Sequence, residues 1–133
     1  METITEDFVS FETARLLKEK GFNEKVICYY DDAGSLNLNK FVEFQCCNQG
    51  YGSSVFAAPT LQMVCKWLRL KHNLFIEPMA GETDGKGWFD FDIIPVNGRV
   101  INWDHYKNSP VIEVESPEQA IEIAIKYCLE NLI

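Results

Sequence analysis

The chain has 133 residues, 47% of them apolar and 13% aromatic, with 20 acidic against 12 basic side chains and a formal net charge of −8. A chain of this size can close a hydrophobic core without metal or disulfide staples, and it is too apolar to stay disordered. The acidic excess excludes non-specific nucleic-acid binding, which needs cations to displace counterions from phosphates. The acids also alternate with apolar residues instead of forming runs, unlike the like-charge blocks of a DNA-mimicking surface.

In chain order, the opening METITEDFVS is acidic and has neither a basic region nor an apolar stretch, so it does not read as a secretory signal. Ser10 offers a cap to a helix over residues 11–20, with Glu12 in its positively polarised first turn. Phe11, Ala14 and Leu17 make its apolar stripe. Gly21 supplies the left-handed residue that closes it, and Phe22 folds back on Leu17. Residues 25–31 (KVICYYD) are rich in β-branched and aromatic side chains and read as a strand. A DDAGS turn follows, with Gly34 at positive φ, and residues 40–46 (KFVEFQC) read as the returning strand of a hairpin. Residues 48–54 (NQGYGSS) are a loop by composition.

A helix over residues 59–72 takes Pro59 as its first helical position. Leu61, Val64, Cys65 and Leu68 fall on one face, while Met63, Trp67 and Leu70 form an adjoining stripe. So wide an apolar surface predicts packing on two sides. Residues 74–77 (LFIE) suggest a short strand, ETDGKG a turn or loop, and residues 87–96 (GWFDFDIIPV) the clearest strand of the chain. In that strand Phe89, Phe91 and Ile93 alternate against Trp88, Asp90 and Asp92, giving one dry face and one mixed face. Asn97-Gly98 is a strong hairpin signal, from which residues 99–106 return; a brief strand at 111–114 is also predicted. Ser116-Pro117-Glu118-Gln119 opens the last helix with a capping-box signature, and Ile121, Ala124, Ile125, Cys128 and Leu132 form its buried stripe. The expected order α-β-β-α-β-β-β-α makes residues 1–133 one α+β domain, a mainly antiparallel sheet of about five strands with three helices.

The five cysteines, Cys28, Cys46, Cys47, Cys65 and Cys128, have neither a CxxC spacing nor an even count, so no zinc site or disulfide framework is expected. They read as reduced thiols, consistent with cytoplasm. No apolar run approaches the roughly twenty residues of a membrane helix, so no membrane partner is expected.

Four groups of residues compete as sites. The glycine-rich stretch Gly50, Tyr51, Gly52 and Ser53 precedes the second helix and suits an anion at its N-terminus, although glycines also simply serve turns. Lys66 and Arg69 offer phosphate contacts, or merely complement the dipole at the helix end. Asp90, Asp92 and His105, with Asp104 nearby, are weak metal-ligand candidates across the Asn97-Gly98 hairpin, against a reading as ordinary edge charge. Trp88, Trp103, Tyr106 and Tyr51 offer aromatic surface for a partner's anchor residue or a base, or are covered by the long loops. With only His72 and His105 as imidazole bases and no GxSxG, nucleophilic catalysis finds no support, and no cofactor is implied.

The segments FVSFETARLLKEKGFNE, APTLQMVCKWLRLKHNLFIEP, GWFDFDI and SPEQAIEIAIKYCLENLI span most of the chain. Together they resemble a group of small proteins of Bacteroides-type gut bacteria, their prophages and phages. The resemblance implies an accessory gene of a mobile element and carries over no catalytic residue. The expectation that follows is a non-enzymatic binding protein, acting on a host protein as in counter-defence, or as a homo-oligomer. The alternatives are a nucleotide-sequestering protein using the glycine loop with Lys66 or Arg69, and a metal-dependent hydrolase using Asp90, Asp92 and His105.

Overall fold

The computed structural model describes residues 3–38, 48, 54–95 and 116–133. Among these the chain forms α1 (Phe11–Glu19), β1 (Cys28–Tyr30), β2 (Leu36–Leu38), β3 (Phe56–Ala57), α2 (Leu61–His72), β4 (Leu74–Thr83), β5 (Lys86–Pro95) and α3 (Pro117–Asn131). Every pairing between these strands is antiparallel, in one sheet of order β2-β1-β3 and a second of β4-β5. The α+β class is the one the sequence implies. Among the described residues two things differ: the strand returning from the DDAGS turn is already formed at Leu36–Leu38, ahead of the expected 40–46, and β3, too short at two residues to leave a period in the sequence, precedes α2. The predicted strands at 40–46, 99–106 and 111–114 and the Asn97-Gly98 turn lie outside the described residues.

Ser10 starts α1 by accepting from the Thr13 N–H at 3.3 Å. Gly21, at φ 90°, stops it, and the Phe22 N–H returns to the Leu17 carbonyl at 2.9 Å. This closure delivers Phe22 into the core, fully buried and edge-on to Trp67 with ring centroids 5.3 Å apart. Thr13, at the third helical position, is too short to reach back to the cap N–H as a glutamate does in a capping box. Glu122 of α3 does so instead, its Oε1 accepting from Ser10 N at 2.9 Å and Thr13 Oγ1 at 2.6 Å. Lys126 adds an ion pair to Glu12 at 2.8 Å. The start of α1 is thereby docked on α3 by polar contacts.

The turn between β1 and β2 is built as its composition predicts. Gly34 sits at φ 82°, and the Asp31 carboxylate accepts from the Ala33 and Ser35 N–H groups, each at 3.0 Å. The Ser35 bond, helped by Asn37, holds that carboxyl below its ordinary range. Helix α2 begins two residues later than the proline suggests. Thr60 is the cap, accepting from Met63 N at 3.2 Å, because its hydroxyl supplies an acceptor that proline lacks. Pro59 stands just before it, its carbonyl taken by Val9 N at 3.0 Å. Leu61, Val64 and Leu68 are buried as expected. Of the second stripe only Trp67 is buried, while Met63 and Leu70 remain 37% and 59% exposed. Helix α2 is therefore less enclosed than its apolar width implies.

Helix α3 follows its cap signature, with Ser116 Oγ accepting from Gln119 N at 3.1 Å and Pro117 in its first turn. It buries Ala120, Ala124, Ile125, Cys128 and Leu129 against α1, α2 and the inner face of β4-β5, where Leu74, Ile76 and Ile93 complete the core. Among the described residues two polar side chains are buried, Thr13 at the start of α1 and Asn48. Asn48 donates from Nδ2 to the Phe22 carbonyl at 2.6 Å and accepts at Oδ1 from Ala57 N at 2.9 Å. Among the described residues no helix is long and apolar enough to cross a membrane.

Candidate interaction face

Strands β4 and β5 form a ten-residue hairpin closed by Asp84-Gly85, at φ 52° and 78°. Both central residues at positive φ make the tight turn whose twist suits paired strands, and Asp-Gly is among the pairs that favour it. The turn expected within ETDGKG falls at Asp84-Gly85, but the short strand expected over residues 74–77 runs on to Thr83. Pro78 and Gly81 argue locally against a strand there. In a two-stranded ribbon, however, a proline whose nitrogen points away from the partner removes no ladder bond.

Alternation then sorts the side chains. Leu74, Ile76 and Ile93 lie in the core, with Phe89 and Phe91 half-buried beside them. The register sets the opposite, outer face: Phe75 opposes Ile94, Glu77 opposes Asp92, Met79 opposes Asp90 and Gly81 opposes Trp88. On that face Phe75, Trp88 and Ile94 are 45%, 41% and 38% exposed. Trp88 is held down. A Cβ at residue 81 would overlap its six-membered ring, so the indole occupies the space that the glycine leaves open. Its Nε1 donates to Thr83 Oγ1 at 3.1 Å. The result is an aromatic surface with little orientational freedom to lose on contact.

Gly81→Ala is accordingly expected to lift the indole off the strand and break its bond to Thr83 while the core stays closed. The expected readout is a shifted Trp88 indole N–H resonance and a melting point lowered by only a few degrees, on the order of 1 kcal/mol. An unmoved resonance would refute the packing.

Carboxylates separate the apolar ends of the face. Glu77 and Asp92 are directly opposite each other, an arrangement of like charges that costs stability in a strand pair. Asp90, on the same side, accepts from Phe91 N at 2.8 Å. Asp90 and Asp92 thus share a face as the sequence predicts. Among the described residues no three potential ligands converge on a metal position, and His105 lies outside them. Trp103, Tyr106, Tyr51, Gly50, Gly52 and Ser53 also lie outside the described residues. Lys66 and Arg69 are exposed on α2, and Arg69 sits in its last turn with Lys71 and His72, where positive charge suits the helix dipole.

No family model, no curated protein and no solved structure matches the chain. The site rests on geometry.

Sequence reasoning singled out Trp88 but missed Phe75, Glu77, Met79 and Ile94. Counting outward from Asp84-Gly85 would have paired them. Among the described thiols, burial raises the pKa of Cys28 and pushes Cys65 up to about 11 and Cys128 up to about 12, the latter further raised by Cys65. His72 packs edge-on against Trp67 at 4.6 Å, and burial lowers its pKa below the ordinary 6.5. The unfolded chain therefore binds a proton at His72 that the fold resists, so stability is undiminished above pH 6.5 and falls as the pH drops below it. Titrating the imidazole by NMR should give a midpoint below 6.5, and His72→Asn should remove that part of the acid loss; a midpoint above 6.5 contradicts the packing.

A second apolar surface, a groove of about 130 Å³ bordered by Phe8, Val26, Ile27, Pro59 and Met63, lies beside the start of α2. It is shallow and has few polar groups to orient a ligand.

Proposed function

We propose that the chain is a non-enzymatic binding protein that docks a partner protein on the outer face of β4-β5. The observation that carries this reading is Trp88, exposed yet fixed over Gly81 and bonded to Thr83. Large aromatic side chains whose conformation is set before contact anchor protein interfaces, because little entropy is lost when they are covered. Phe75 and Ile94 supply a second apolar patch on the same side, one ribbon-length from the first. A nucleotide is the poorer occupant here, since Glu77, Asp90 and Asp92 repel phosphate and the basic Lys66 and Arg69 stand on α2. A second copy is also disfavoured, because a two-fold contact would set these carboxylates against themselves. In keeping with the resemblance to small proteins of Bacteroides-type gut bacteria and their phages, the proposed partner is a protein of the host cytoplasm.

The test uses the intact protein as bait in host lysate, beside a Phe75→Ser/Ile94→Ser variant whose melting point shows it to be folded. A host protein retained by the first and lost by the second supports the reading. Equal retention by both, or retention of nothing, overturns it.

A further inference from the structure

Resting on that docking reading, we infer that the segment of the partner lying on the ribbon is basic and extended, with one cationic side chain over Trp88 beside Asp90 and a second between Glu77 and Asp92. The exposed indole is the primary platform: ring faces attract Arg and Lys cations, Trp most strongly. Asp90 is two residues along β5 on the same face, so its carboxylate stands about 7 Å from the Trp88 position. Asp92 lies four residues along, about 13 Å away, with Glu77 directly opposite. An extended peptide places its own alternate side chains at these same intervals. Cations two or four residues apart therefore fall in register, and an apolar residue beyond them meets Phe75 and Ile94.

Energetics choose the same occupant. Glu77 and Asp92 repel each other across the ribbon, and a guanidinium or ammonium group between them would relieve that repulsion. Neither an acidic nor a wholly apolar segment would do so. The net charge of −8 adds long-range attraction toward a basic partner, raising the rate of encounter.

The experiment titrates the full chain with a capped peptide of alternating arginine and serine, and separately with its glutamate counterpart, following amide and indole resonances. Saturable shifts confined to the Trp88 indole and to residues 75–79 and 88–94 are expected from the arginine peptide alone. Trp88→Leu should weaken binding about two- to fivefold, the range of an exposed cation–aromatic contact. Glu77→Gln/Asp92→Asn should weaken it by a similar factor while raising the melting point slightly. Shifts scattered over all acidic surfaces, or equal affinity for the Glu77→Gln/Asp92→Asn variant, would overturn the inference. If the host partner depends on Phe75 and Ile94 but is indifferent to the Glu77→Gln/Asp92→Asn variant, docking stands and the cationic class falls. If the peptide binds the ribbon while the host partner ignores Phe75 and Ile94, the docking reading falls instead.

Discussion

Phe22→Ala is expected to cost about 3–5 kcal/mol, the usual loss when a large buried aromatic is truncated. Phe22 is fully buried, packs edge-on against Trp67 at 5.3 Å and lies in the closure that ends α1. The substitution removes the ring, leaves a cavity between α1 and α2, and frees the indole of Trp67 to move. For a chain of this length the midpoint of thermal unfolding should fall by about 10–20 °C. That is a large part of the roughly 5–15 kcal/mol by which such domains are stable. Phe22→Leu should lose less, because most of the volume remains. A midpoint within a degree or two of the wild type would show that α1 does not deliver this residue to the core.

Asn48→Ala should come next, for a different reason. The amide satisfies two backbone groups from distant parts of the chain, the Phe22 carbonyl and the Ala57 N–H. Removing it leaves both buried without partners, at about 1–3 kcal/mol each. Asn48→Asp separates the two bonds. The carboxylate still accepts from Ala57 but meets the Phe22 carbonyl as a second acceptor, so its pKa in the folded state is raised. The sign follows from linkage: a group whose folded pKa is raised contributes its stability at low pH and loses it as the pH rises. Compared with the wild type at each pH, Asn48→Asp should therefore be weakest near neutrality and recover as the carboxyl is protonated. Chemical denaturation across that range checks it, and a pH-independent deficit would contradict the donor assignment.

Local chemistry was readable in the sequence wherever it alone decides structure. Ser10, Gly21, Gly34 and Ser116 each do what their residue types favour, and the alternation from Trp88 to Ile93 sorts the faces of β5 correctly. The sequence was opaque where a distant partner decides. Glu122 completes the cap of α1 from another helix, and Asn48 looks like loop composition until its two backbone partners are known. β4 was cut short because Pro78 and Gly81 are poor strand residues taken singly. Gly81 earns its place only because Trp88 needs the space above it. The outer face was legible by half for the same reason. One strand's pattern displays Trp88, Asp90 and Asp92, while Phe75, Glu77 and Met79 join them only through pairing.

Hydroxyl-radical labelling of side chains, on the free protein and with the captured host partner, bears most directly on the outer face of β4-β5 as the docking surface. Trp88 and Phe75 should label readily in the free protein and become protected in the complex, while Leu70 and Ile27, each 59% exposed, label equally in both. Trp88 unreactive in the free protein, or equally reactive with and without the partner, would contradict the account.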